Sequence, residues 1–359
     1  MTDLFAPLTF TRGPTMKNRF MLAPLTNCQS HEDGRLSDEE FRWLTLRAAG
    51  GFGLTMTCAS HVQAQGRGFP GQLGIFSDAH VEGLSRLAAA IRSNGSIAVA
   101  QLHHAGMRAP AALTGSQPVC PSDDAETGAR ALSLAEVVQL REDFIAAALR
   151  AERAGFDGVE LHGAHGYVLC QFLSAETNRR TDEYGGTLEN RSRLLLEILS
   201  GIRERCRSDL TVGVRLSPER FGMRLAEVRS LAQQLMSGGA VDFLDMSLWD
   251  VFKEPQEEAF RGRSLLSYFA ELDRGPVRLA AAGKIMTGAD ASRCIEAGAD
   301  FVVVGRAAIL HHDFPARVRS DPAFESHTLP VTVAHLADEG LSPAFIQYMG
   351  NWKGFVAAA

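Results

Sequence analysis

Eight short runs of β-branched and apolar residues, each followed by an amphipathic stretch, recur along this chain, and that alternation restricts its fold more than any other feature. The runs are Arg19–Leu25, Leu54–Ala59, Ile97–Leu102, Gly158–Leu161, Thr211–Leu216, Val241–Met246, Val277–Ala281 and Phe301–Val304. Their near-continuous apolar character reads as strands buried on both faces. Helix starts are also legible. Ser37–Glu40 and Ser133–Glu136 read as capping boxes, in which hydroxyl and carboxylate satisfy the first free backbone N–H groups. Leu134, Val138, Ile145 and Leu149 keep one helical face, and Leu194, Leu195, Ile198, Leu199 and Ile202 another. Strand–helix alternation implies parallel strands with helical crossovers. Eight such units predict an α/β fold, a (β/α)8 TIM barrel forming one domain over residues 1–359, with short N- and C-terminal extensions. A doubly wound sheet is the competing architecture, but no Gly-x-Gly-x-x-Gly follows a strand to mark a Rossmann unit.

Composition narrows the function classes. The 359 residues fit a barrel with insertions, and 45% hydrophobic with 22% charged residues is ordinary for a globular enzyme. A net charge of −6 without a basic run argues against nucleic acid as a partner. No apolar run approaches the roughly 18 residues needed to span a membrane. The start of the chain carries no charged region followed by an apolar core, so no signal peptide is expected. Six cysteines (Cys28, Cys58, Cys120, Cys170, Cys206, Cys294) are scattered with no C-x-x-C pair, which argues against structural zinc or an iron–sulfur cluster. Together these point to a cytoplasmic protein. In the tail, Leu329–Leu336 reads as helical, and the aromatic segment around Tyr348 and Trp352 suggests a contact in a homo-oligomer.

The chemistry collects where a barrel places it, at the carboxyl ends of the strands. Strand 1 delivers Ala23-Pro24-Leu25-Thr26, strand 2 Thr57 to Ser60 with Ala59, and strand 3 Gln101 to His104. Strand 4 delivers His162-Gly-Ala-His165-Gly-Tyr167, strand 5 Arg215, strand 7 Gly283-Lys284 and strand 8 Gly305-Arg306. Two imidazoles and a phenol at one strand end can polarise a carbonyl and protonate a neighbouring carbon. The bland alternative is a His pair satisfying loop carbonyls; a zinc site lacks a third ligand nearby. Loops after strands 7 and 8 recurrently bind phosphate in barrels, and Gly283 with Gly305-Arg306 suits that role. Gln101 and Arg215 would then donate to the other end of the phosphorylated molecule. FMN, with its phosphate tail and acceptor-rich pyrimidine edge, fits this arrangement.

Ordered segments along the chain carry a resemblance. They are Lys17 to Thr26, Gln101 to Gly106, His162 to Ser174, Asn178 to Gly186 with Glu189-Asn-Arg191, Val212 to Ser217, and Val302 to Arg306. The chain resembles the old yellow enzyme family of FMN-dependent ene-reductases, also called NADH:flavin oxidoreductases, from about residue 4 to about residue 318. The resemblance implies non-covalent FMN and either NADPH or NADH as reductant. It implies that Thr26 lies near flavin N5/O4, that Gln101 and Arg215 hold the pyrimidine end, and that Ala23, Pro24, Leu25 and Ala59 line the ring. Gly283, Gly305 and Arg306 would hold the phosphate. His162 and His165 would bind the oxygen of a small activated alkene, and Tyr167 would be the proton donor. The Asn178–Gly186 loop would brace the floor below the active face.

One branch of the family has a cysteine at the position of Thr26 and a tyrosine at that of Cys28, so the resemblance implies no phenolic substrate contact from this loop. Whether Cys28 is a small buried hydrophobe or has a redox role stays open. The position of the chain's end and the missing cysteine cluster lead us to expect no iron–sulfur segment and no second flavin domain. Arg108–Gly128 is expected to lid the site, and Trp249–Phe260 to shape substrate choice. The expected activity is reduction of alkenes conjugated to a carbonyl or nitro group. Oxidation in the reverse direction or of amines is the alternative within the class. A flavin-free sugar-phosphate lyase, which would need Lys284 as a Schiff-base lysine, is the alternative from another class.

Overall fold

The computed structural model describes residues 3–358. Eight parallel strands close into a barrel: β1 (Phe20–Leu22), β2 (Leu54–His61), β3 (Ile97–His103), β4 (Gly158–Gly163), β5 (Thr211–Leu216), β6 (Phe243–Ser247), β7 (Arg278–Ala282) and β8 (Phe301–Val304). Each strand pairs with its neighbour in sequence, and β1 closes the ring against β8 with Phe20 opposite Val302. The alternation of apolar runs and amphipathic stretches therefore gives a TIM barrel, an α/β fold. Every residue of β1 to β5 is buried, which accounts for the lack of period-two polarity in their sequences.

The bottom of the barrel is plugged from the N-terminal side. Leu8 and Met16 exchange backbone hydrogen bonds across a tight hairpin. Its Phe10 packs 5.8 Å from Phe243 and 5.9 Å from Phe301, at the starts of β6 and β8. That closes one end and leaves the carboxyl ends of the strands as the face where a ligand can enter.

Several expectations need adjustment. The Ser133 capping box is complete, but at Ser37 only half of one forms: Ser37 Oγ accepts from Glu40 N, while the Glu40 side chain turns inward. There it accepts from Asn27 Nδ2 at 3.0 Å and from Ser30 Oγ, tying the loop after β1 to the first helix. The tail helix begins at Val333 rather than at Leu329, and a further helix, Pro343–Gly350, follows it. That last helix packs on the barrel, with Phe345 edge-on to Trp43 at 5.4 Å. The Asn178–Gly186 loop is held by its own polar side chains. Asn178 Nδ2 donates to Phe172 O and Tyr184 O, each at 2.7 Å, and Arg180 donates to Pro121 O at 2.9 Å. It thus ties the insertion after β3 to the helix that follows β4, because its polar side chains satisfy carbonyls of those segments.

Candidate active site

A cavity of about 480 Å³ opens at the carboxyl ends of the strands, within the size range of cofactor sites. Its walls include Ala23, Pro24, Leu25, Thr26, Ala59, Gln101, Arg215, Gly283, Gly305 and Arg306, together with His162, His165 and Tyr167. Register explains how residues from distant parts of the chain meet. Gln101 stands beside Glu160 across β3 and β4, His162 beside Arg215 across β4 and β5, and Arg215 beside Asp245 across β5 and β6.

Sequence reading missed the two acids. Gln101 Nε2 donates to Glu160 Oε1 at 2.7 Å. Arg215 Nε lies 3.1 Å from Asp245 Oδ2, but not in line for a hydrogen bond, so Glu160 Oε2, both Asp245 oxygens and Arg215 Nε keep free valence. Burial, then the facing Asp245, pushes the Glu160 carboxyl well up; burial raises Asp245 against the pull of Arg215. Burial thus favours the protonated form of Glu160, which relieves two fully buried acids facing one arginine. An acid inside an otherwise apolar strand was the available signal, since buried carboxyls are rare unless partnered.

The histidines form a linked pair. Ala164 N donates to His162 Nδ1 at 3.3 Å, so the His162 proton sits on Nε2, 3.2 Å from His165 Nδ1. His165 Nε2 then donates to Ser247 Oγ at 2.6 Å. Burial lowers both imidazoles far below their ordinary range, so both are neutral donors at pH 7. Tyr167 is wedged edge-on against His103 at 4.4 Å and His162 at 5.0 Å, and burial pushes its phenol up. His165 has φ +60°, as do Arg220, Phe221, Trp249 and Lys284 within about ten degrees, so strained backbone gathers around this face.

At the other end, Gly283 has φ +149°, and a Cβ there would sit 2.8 Å from Asp250 N. Only glycine lets this turn pass so close to its neighbour. Arg306 starts the short helix Arg306–Leu310 behind Gly305. These features fit FMN: an unsatisfied guanidinium nitrogen and an amide at one end, small apolar walls, and glycine with arginine at the other.

Other expectations shift. No residue of Arg108–Gly128 lines the cavity; Trp249 and the tail residues Tyr348, Met349 and Trp352 do so instead. Tyr348 and Trp352 lie at the mouth of this site because their helix folds back onto the barrel. Cys28 is absent from the walls, and burial pushes its thiol up to about 11, which favours the thiol over the thiolate at neutral pH. Lys284 is 50% exposed and ion-paired with Asp250 at 3.0 Å, not the desolvated amine that a Schiff base needs. Among the described residues no group of His, Cys, Asp and Glu is placed to hold a metal, and no helix is long and apolar enough to cross a membrane.

A barrel whose ligand face offers a phosphate end, an apolar slot and an amide–guanidinium end defines a class, the flavin-binding oxidoreductase barrels. Comparison with known proteins makes the assignment particular. Residues 3–324 match the family described as NADH:flavin oxidoreductase / NADH oxidase, and the chain belongs to that family. It is 37% identical over 327 residues to a probable NADH-dependent flavin oxidoreductase, YqiG, of Bacillus subtilis, covering 88% of this chain and 87% of that one. It is 33% identical to the NADH:fumarate oxidoreductase of Klebsiella pneumoniae over 90% of this chain, but spans only 36% of that protein's length. The structure of the old yellow enzyme homologue from Zymomonas mobilis superposes with a TM-score of 0.81 at 29% identity, covering 96% of this chain and 99% of that one. FMN and NAD(P)H are the cofactors of the family.

Proposed function

We propose that the chain is an ene-reductase, reducing the C=C bond of small alkenes conjugated to a carbonyl or nitro group, and that residues 1–359 act as one FMN-binding domain. The observation that carries this reading is the convergence of His162, His165 and Tyr167 on one wall of the cavity that also holds Gln101, Arg215 and Arg306. FMN, when bound, would supply the two-electron chemistry that links NAD(P)H oxidation to alkene reduction. Thr26, Gln101 and Arg215 would hold its polar ring edge, Ala23 to Leu25 and Ala59 its ring, and Gly283, Gly305 and Arg306 its phosphate. His162 presents an Nε2–H to the cavity side, and a substrate oxygen takes the place of His165 Nδ1 as its acceptor. His165 joins by releasing Ser247. Negative charge that grows on that oxygen is then met by neutral donors held in place beforehand. Tyr167, protonated at neutral pH, gives its proton to the α-carbon.

Two expectations test the binding parts. Arg306→Ala should weaken FMN retention by about 10–100-fold, the worth of one charge-assisted hydrogen bond, with the barrel still folded by circular dichroism. Retention at the original affinity would move the phosphate elsewhere. His162→Ala should weaken a phenolic ligand, whose oxygen imitates the charged intermediate state, by a similar factor. His165→Ala should cost less, because His165 must first give up Ser247. Unchanged ligand titration in both variants would leave the pair as loop packing only. The activity itself is tested by anaerobic titration of the reduced protein with enones, nitroalkenes and unsaturated acids, read at the flavin band. Failure of every alkene to reoxidise it would defeat the proposal.

A further inference from the structure

Arg108 lies just past the end of β3, in the turn Gly106–Arg108, outside the cavity walls and unused by the proposed reaction. Its guanidinium carbon stands 4.8 Å from the centre of the Tyr167 ring. The same side chain donates through Nη1 to the backbone carbonyl of His165 at 2.5 Å. One exposed cation therefore touches both ends of the segment His165-Gly166-Tyr167. The turn that carries it is fastened from beneath. Met107 N donates to Gln171 Oε1 at 3.2 Å, and Gln171 Nε2 donates to Gly166 O at 2.8 Å. Gly106, at φ +63°, closes so tightly on Gln171 that a Cβ there would overlap the carboxamide. Arg108 thus reaches Tyr167 from a fixed base.

We propose that Arg108 is a positioning residue for Tyr167, fixing the direction of its ring and making the phenol a stronger acid. The inference rests on Tyr167 being the proton donor. In that step the Tyr167 O–H bond breaks, the proton joins the α-carbon while the reduced cofactor supplies hydride to the β-carbon, and the electron pair left on oxygen makes a phenolate that solvent reprotonates. Groups facing the ring are His103 from β3, His162 from β4, Arg108 from the turn and Tyr348 from the tail helix. Burial holds His103 and His162 neutral, so among these described groups only Arg108 brings positive charge to the phenolate. Burial raises the phenol, Arg108 pulls it back, and Tyr348 pushes it up again. A cation over an aromatic face also restrains the ring.

The exposed position of Arg108 screens the interaction, so its removal should weaken Tyr167 as an acid by about 3- to 10-fold rather than by orders of magnitude. The chain has four tyrosines, so labelling their ζ carbons with ¹³C and comparing with Tyr167→Phe isolates the Tyr167 signal. In Arg108→Gln holoenzyme that signal should titrate at higher pH, and Arg108→Lys should restore most of the shift. The alkene half-reaction of Arg108→Gln should slow by a similar factor, with its pH profile displaced in the same direction. An unmoved titration in Arg108→Gln overturns the proposal, even if phenolic ligands bind more weakly, since that alone would mean that Arg108 only steadies the His165 carbonyl. Full-speed alkene reduction by Tyr167→Phe would remove the donor reading itself, a separate failure visible without any Arg108 variant.

Discussion

Tyr167→Phe is expected to slow alkene reduction by about 10²–10⁴-fold, the usual loss when a positioned general acid is removed. The phenylalanine ring keeps the edge-on packing against His103 at 4.4 Å and His162 at 5.0 Å, so the change removes a proton and little else. The half-reaction with NAD(P)H needs no proton at an α-carbon and should change little. Nitroalkenes should suffer least, because their nitronate product is stable and can take its proton later from solvent. Stopped-flow measurement of the two half-reactions separates the cases. Equal slowing of both would mean that Tyr167 orders the nicotinamide rather than acting as the acid, and no slowing of either would assign the proton to another source.

Arg215→Met should be the most damaging change on the neighbouring strand, and its cost should depend on pH. The substitution leaves Glu160 and Asp245, both fully buried, facing each other without their cation. Removing one partner from such a cluster costs about 3–5 kcal/mol. Both carboxyls have folded pKa values raised above their unfolded ones, so the folded state holds protons that the unfolded chain has released. Their burden on stability is absent below about pH 4, the unfolded carboxylate range, and grows as pH rises towards the folded values. Without the guanidinium those values rise further, so the variant should lose more stability at pH 8 than at pH 5. Urea unfolding of the flavin-free protein at both pH values measures this. Equal losses would show that Arg215 acts through packing, not charge. The variant should also retain FMN poorly, since Arg215 Nε is a buried donor at the cavity wall with no hydrogen-bond acceptor in the protein.

Much of the architecture was legible because it depends on local pattern. A run such as Thr211–Leu216 is largely apolar because its strand is covered on both faces, and all six of its residues, Arg215 included, are buried. The end of each such run marks the ligand face, which is why Gln101, His162, Arg215, Gly283 and Arg306 could be named together from sequence. Ser133 and Glu136 sit three residues apart and cap their helix with no outside help. Glu40 has the same spacing from Ser37, yet its carboxylate is claimed by Asn27 and Ser30 in the loop before the helix, a contact that the spacing of the helix start does not reveal.

The order of strands, the identity of the ligand face and the residue types presented there were determined by the sequence alone, since hydrophobic period and strand termini are properties of neighbouring residues. Tertiary structure alone decided what each of those residues touches. Barrel register set Glu160 beside Gln101 and Asp245 beside Arg215, turning two apparently bland strand acids into buried partners of the site's amide and guanidinium. The fold of the tail brought Tyr348 and Trp352 to the cavity mouth. A loop that looked like a lid contributed instead one arginine stacked on Tyr167. The reason is the same in each case: these contacts join residues far apart in the chain, and their energies depend on distance and burial, which exist only once the barrel has closed.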